Sequence, residues 1–241
     1  MFLFASSEPW FSEWNHALLA HLFRTLPFTS LRIAIAEILT YNSLASTWIF
    51  AIVSYLYWRR KDEQTLWRRS RLIEGTIACW LVVLATLPMR PWISWPSPTR
   101  VPFFQDLYPS HLGTVGTADS FPSDSTLVYL MVALSFASLS RRMCSILVVF
   151  TLTAISFPRI YLGGHYPIDV LASIILALVA AILARLCSAR PGMSHFLEWA
   201  ATRGRVTEFF VFAWLFELGE GFRSGMDLLR TLLYWAHYAA R

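Results

Sequence analysis

Apolar positions gather into five long runs, over residues 35–58, 72–87, 121–139, 143–157 and 168–184. A helix needs about 17–25 apolar residues to cross the hydrocarbon core of a bilayer, so the pattern predicts about five spanning helices. The fourth run is short, and Arg141, Arg142 and Arg159 bracket it. Glu37 and Asn42 interrupt the first, whose outer half is therefore expected to pack against protein rather than lipid. Residues 10–28 mix apolar positions with Glu13, Asn15, His16, His21 and Arg24, a pattern that predicts a helix lying in the membrane interface. Residues 190–241 read the same way. Their longest apolar run, FFVFAWLF, is too short to cross, and Glu208, Glu217, Asp227 and Arg230 break up the rest. The expected fold is all-α: an integral membrane helical bundle over residues 31–186, with an interfacial segment over 1–30 and a cytoplasmic helical tail over 187–241.

Composition supports a bilayer protein. Of the 241 residues, 56% are hydrophobic and 15% charged; soluble domains average about 25% charged. A cytosolic enzyme and a disordered chain are both disfavoured. The amino-terminal MFLFASSEPWFSEW lacks a basic leader region and a small-residue cleavage site, so no secretory signal is expected there. The three cysteines, Cys79, Cys144 and Cys187, sit within or at one end of apolar runs and imply no disulfide framework.

The net charge of +5 would suggest nucleic-acid binding in a soluble protein. Here the basic residues flank the apolar runs, and topology explains them; no nucleic-acid partner is expected. Arg59, Arg60, Lys61, Arg68, Arg69 and Arg71 follow the first run, Arg141 and Arg142 the third, and Arg185 and Arg190 the fifth. With five crossings all of these share one side, which the positive-inside rule makes cytoplasmic. The loops left outside, residues 88–120 and 158–167, carry Arg90, Arg100 and Arg159.

Those outer loops hold the candidate chemistry. Arginines and helix-start N–H groups bind phosphate well, because donors and positive charge point the same way. His165 and Asp169 lie four apart, with Pro167 between them at a predicted first helical position. The carboxylate can then reach the imidazole and fix its tautomer. Taken singly, each residue has an ordinary role: Ser123 or Asp124 suits a helix N-cap, and an interfacial Arg snorkels to headgroups. Those roles do not predict the joint spacing. No convincing metal cluster appears, so neither metal nor cofactor is expected.

Three segments carry a resemblance. Pro158-Arg159, five residues, His165, three residues and Asp169 resemble the Ser-Arg-x5-His-x3-Asp block of the type-2 phosphatidic acid phosphatases, which share their fold with vanadium haloperoxidases. Pro122-Ser123-Asp124-Ser125 stands where that family has Pro-Ser-Gly-His, and Arg90-Pro91 is what remains of Lys-x6-Arg-Pro, with Val83 at the Lys position. The strings ADSFPSDST and YLGGHYPIDVLAS look most like the bacterial undecaprenyl-diphosphate phosphatases of the bacitracin-resistance type, and also resemble the periplasmic lipid A phosphotransferases. The resemblance implies a bacterial inner-membrane enzyme with its site facing outward, acting on a lipid phosphate or diphosphate. It makes His165 the phosphoryl-accepting nucleophile and Asp169 its orienting carboxylate. Arg90, Arg159 and Ser123 become phosphate ligands. No metal is needed, since arginines supply the positive charge.

Two positions depart from the pattern. The second-block His, which in the family protonates the leaving oxygen, is Ser125 here. General-acid help is worth about 100- to 10,000-fold in rate, so slow turnover is expected on alkoxide leaving groups. Diphosphate lipids, which release a phosphate monoester, suit the altered site better. Asp124, Ser125, His111 and Arg100 are accessory candidates, the last two standing in for the missing His and Lys. Transfer of the phosphoryl group to a lipid or glycan uses the same intermediate, and a non-catalytic lipid-binding or scaffold protein is the alternative outside enzymology. The sequence leaves all three open, and leaves the oligomeric state unknown.

Overall fold

The computed structural model describes residues 12–42, 47–86, 95–109, 120–203 and 208, and among them every regular element is helical. The long elements are α1 (Ser12–Thr25), α2 (Ser30–Tyr41), α3 (Trp48–Arg59) and α4 (Thr65–Thr86). A 3-10 turn (Pro98–Arg100) and the short α5 (Pro102–Gln105) follow. Then come α6 (Asp124–Ser135), α7 (Arg141–Phe150), a π-helix (Thr151–Ser156), α8 (Phe157–Tyr161), α9 (Pro167–Ser188) and α10 (Pro191–Thr202). Side-chain caps start two of them. Thr29 accepts from the Arg32 N–H at 3.3 Å, and Ser140 accepts from the Met143 N–H at 3.2 Å. Proline at the first helical position starts α9 and α10, where its missing N–H costs nothing.

α6 is the hub. Thr126 through Ala133 are all buried, because α3, α4, α7 and α9 surround the helix. A helix apolar on every side belongs at the centre of a bundle, and this one buries Leu127 and Met131 on one face and Tyr129 and Val132 on the opposite one. Gly75 of α4 lets the two backbones approach: a Cβ there would overlap the Ser135 side chain.

Among the described residues two helices, Arg141–Tyr161 and Pro167–Ser188, are long and apolar enough to cross a membrane. The remaining expected spans come out differently. Residues 35–58 are not one helix but two of 12 residues each, α2 and α3. Asn42 leaves helical geometry at φ −92°, ψ 107°, after its N–H closes on Ile38 O. Residues 121–139 contain the 12-residue α6 and its flanking turns. Twelve residues rise about 18 Å, short of a hydrocarbon core of about 30 Å. The run at 72–87 falls in α4, whose first turns carry Arg68, Arg69, Arg71 and Glu74.

The helix Arg141–Tyr161 is not uniform. It widens into a π-helix before Phe157-Pro158, where Phe157 N–H reaches back to Leu152 O. Proline cannot donate to the fourth carbonyl behind it, and its ring crowds that carbonyl; the wider turn relieves both demands. Thr151 and Thr153 bond back to Leu147 O and Val149 O, each at 2.8 Å, loosening the same stretch.

α1 and α10 dock on the bundle. α1 buries Leu19 and Asn15, and its His16 ring lies 4.8 Å from that of Phe103. Phe23 packs edge-on to Tyr108 at 5.1 Å. α1 is thus a cover over residues 101–108. At the other pole α10 buries Leu197 and Ala201 against α4, and Ser70 donates to Leu197 O at 3.4 Å. Beyond Arg203, the predicted tail lies outside the described residues apart from Glu208. The basic pole is braced by Arg68, which donates to Arg60 O at 2.8 Å and pairs with Asp62. That hydrogen bond holds the Asp62 carboxyl below its ordinary range.

Candidate active site

The turn between α8 and α9 delivers His165. Gly163 adopts φ +74°, the left-handed region that favours glycine. It ends α8 by sending its N–H to Ile160 O at 3.0 Å, while Gly164 N–H reaches Arg159 O at 2.8 Å. No side chain would fit at Gly163. A Cβ would overlap Thr99 Cγ2 and come within 3.0 Å of the Tyr108 ring. Tyr108 OH donates to Ile160 O at 3.3 Å and Thr99 Oγ1 donates to Gly163 O at 3.4 Å. Residues 95–109 therefore clamp this turn from outside. Burial pushes the Tyr108 phenol well up, with the neighbouring Tyr166 adding to the effect, so the clamp remains a neutral donor.

His165 precedes the N-cap of α9, Tyr166, with Pro167 in the first helical position. Its Nδ1 lies 2.8 Å from the carbonyl oxygen of Ser120. A carbonyl only accepts, so Nδ1 carries the proton and Nε2 is the basic nitrogen of the neutral ring. Asp169 Oδ2 lies 3.8 Å from Nδ1, outside hydrogen-bond range, and instead accepts the Tyr166 N–H at 2.8 Å. The sequence assigns the orienting role to Asp169; the structure gives the tautomer-setting contact to a main-chain carbonyl. Asp169 is fully buried, with Oδ2 3.8 Å from the ring nitrogen.

Three groups that the sequence reading passed over hold this pair. The Ser120 hydroxyl and the Trp95 indole nitrogen lie buried near the Asp169 carboxylate, and Ser120 Oγ makes no hydrogen bond among the described residues. Ser120 N–H donates to Trp95 O at 2.9 Å, which ties the two outer segments together. Ser173, one turn beyond Asp169, donates to Asp169 O at 2.8 Å and to Ser123 O at 3.1 Å, fixing the start of α9 to the start of α6. Ser173 had a signal, its i+4 spacing from Asp169. Trp95 and the Ser120 carbonyl had none.

The other candidates divide. Ser123 is fully buried as the N-cap of α6, with Oγ 3.0 Å from Thr126 Oγ1, which continues 2.8 Å on to Ser156 Oγ. Its hydroxyl is thereby engaged inside the fold. Asp124 and Ser125 are half-buried in the first turn of α6. Arg159 donates from Nη1 to Ile155 O at 2.9 Å and from Nη2 to Thr40 O at 3.4 Å, resting on the last turn of α2. Arg100 is exposed at the end of the 3-10 turn. Arg90 and His111 lie outside the described residues. Among the described residues, no group of three His, Cys, Asp or Glu is placed to hold a metal ion.

Comparison with known proteins bears on the same segments. Residues 88–192 match the model of the PAP2 superfamily. Undecaprenyl-diphosphatase BcrC of Bacillus subtilis (strain 168) is 31% identical over 111 residues, 46% of this chain and 51% of that protein. Putative undecaprenyl-diphosphatase YbjG of Escherichia coli (strain K12) is 32% identical over 68 residues, 28% of this chain and 34% of that protein. The chain thus aligns with about half, or less, of each curated relative. The crystal structure of Aquifex aeolicus LpxE superimposes with a TM-score of 0.50 at 18% identity, covering 70% of this chain and 94% of that one. That likeness is one of fold.

Proposed function

Because residues 88–192 match the model of the PAP2 superfamily, we propose that this chain is a membrane phosphatase acting on an isoprenoid diphosphate of the undecaprenyl type. The named relatives support this substrate class. The observation that carries the chemistry is the 2.8 Å contact from His165 Nδ1 to Ser120 O, which leaves Nε2 as the attacking atom. Nε2 forms a bond to the terminal phosphorus and the bridging P–O bond breaks. The lipid monophosphate departs with the bonding electron pair. Water then attacks the phosphohistidine, releasing inorganic phosphate and restoring the neutral ring. Asp169, 3.8 Å from Nδ1, balances the positive charge on the ring during attack. Arg90, Arg159 and the N–H groups opening α6 hold the phosphoryl oxygens, Ser123 through its main chain since its hydroxyl serves Thr126.

The site faces the outer side of a bacterial plasma membrane in this reading. The pole that carries His165 is poor in basic residues, and the opposite pole holds Arg59 to Arg71, Arg141, Arg142 and Arg185. Phosphate release from undecaprenyl diphosphate by the purified protein tests the proposal. His165→Ala should bring release down to the uncatalysed background and abolish labelling of the protein by substrate phosphate. Undiminished release from that variant rules out His165 as the nucleophile.

A further inference from the structure

A cavity of about 310 Å³ opens between α4, α6 and α9 at the basic pole, on the opposite end of the bundle from His165. Met131, Leu178 and Ile182 form apolar walls, and the small side chain of Ala181 lines the space beside them. Arg71, Glu74 and Arg185 edge it. Both guanidiniums share one carboxylate oxygen: Arg71 Nη1 lies 2.5 Å and Arg185 Nη1 3.3 Å from Glu74 Oε2. Arg71 also donates to Ser188 Oγ at 3.1 Å, and Arg185 pairs with Ser138. Two cations on one carboxylate leave a net charge of +1 beside apolar walls. Arginine has five N–H donors, and the bonds within the described residues occupy only some of them.

We infer that this cavity binds an anionic phospholipid, one acyl chain between α4, α6 and α9 and the phosphodiester on Arg71 and Arg185. Charge complementarity chooses the occupant. An anion at the mouth neutralises the unbalanced guanidinium, and an apolar chain fills walls that no water would wet. Wall and rim sit in the order that a lipid presents, tail toward the middle of α9 and headgroup toward its basic end at Arg185. Basic recesses between helices on the cytoplasmic side recognise lipid headgroups in this way. The cavity volume falls at the lower end of the range for small-ligand sites, about 300–1,000 Å³, enough for part of one chain. The inference rests on the chain being a membrane protein but not on the proposed reaction, since no residue here belongs to the His165 site.

Native mass spectrometry of detergent-purified protein, titrated with equal amounts of phosphatidylglycerol and phosphatidylethanolamine, tests it. Wild type should retain phosphatidylglycerol in preference. Arg185→Gln should reduce that preference about tenfold, as expected for a lost charge-assisted contact. Ala181→Phe fills the cavity while leaving the ion cluster in place, and should abolish retention yet keep wild-type phosphate release. If Arg185→Gln does not fold, Ala181→Phe alone decides. Equal retention of the two lipids, or a preference that survives both variants, overturns the inference. So does displacement by soluble glycerol 1-phosphate, which would make the site one for free phosphate esters. Phosphate release measured on the same samples keeps failure of the lipid site separate from failure of the proposed reaction.

Discussion

Ser125 is the residue at which this chain departs most consequentially from the pattern it resembles. It lies half-buried in the first turn of α6, where the resembling proteins place a proton donor. A serine hydroxyl at neutral pH protonates an alkoxide poorly, whereas a phosphate monoester leaves without that help. Ser125→His should therefore raise kcat/KM on a lipid monophosphate by up to about 100-fold, the lower end of what a positioned general acid supplies. The gain on a lipid diphosphate should be much smaller. Parallel phosphate-release assays on the two substrates decide it; equal gains, or losses on both, would show that the leaving group does not govern this position. The closeness of His165 and Asp169 was legible from their spacing and the Pro167 start signal. Their actual relation was not. The acceptor that fixes the imidazole is the Ser120 main-chain carbonyl, and every residue type carries the same carbonyl. Trp95 comes from a distant stretch, and only tertiary packing brings its indole to Asp169.

At the scale of elements, hydropathy located the apolar material and misjudged how it is cut. A sliding average runs across Asn42, yet the helix stops there, so one expected span is two short helices. The run at 121–139 likewise merges α6 with the turn after Phe136, because apolar turn residues look like helix in an average. α1 was legible as an amphipathic helix but not as a cover, since its partners Phe103 and Tyr108 lie about 90 residues away. The turn that carries His165 depends on a different local feature. Gly163→Ala would force a Cβ into the left-handed region, costing about 1–2 kcal/mol, and would also drive it against Thr99 and Tyr108. The expected result is a thermal midpoint several degrees lower together with reduced phosphate release, because the clamp and His165 share this turn. A melting curve and turnover both equal to wild type would mean that residues 95–109 do not position the site.

At the scale of the whole molecule, the two poles differ in kind. One joins Trp95, Ser120, His165 and Asp169; the other gathers Arg68, Arg71, Glu74 and Arg185 into ion pairs. Between them α9 leaves Leu171, Ile175, Leu178, Ile182 and Leu186 substantially exposed in a row along 22 residues. Water would penalise that surface by about 25 cal/mol per Å² of apolar area, and lipid would not. The same polarity makes orientation testable with two cysteines. Arg100→Cys sits exposed at the His165 pole, and Lys61→Cys sits exposed at the basic pole. In intact cells, with Cys144 and Cys187 replaced by Ser, a membrane-impermeant maleimide should label the first variant and spare the second until the membrane is permeabilised. Labelling of Lys61→Cys alone would invert the topology and place the reaction on the cytoplasmic side. Equal labelling of both before permeabilisation would remove the case that the bundle separates two compartments, leaving the exposed row on α9 to be covered by a protein partner instead.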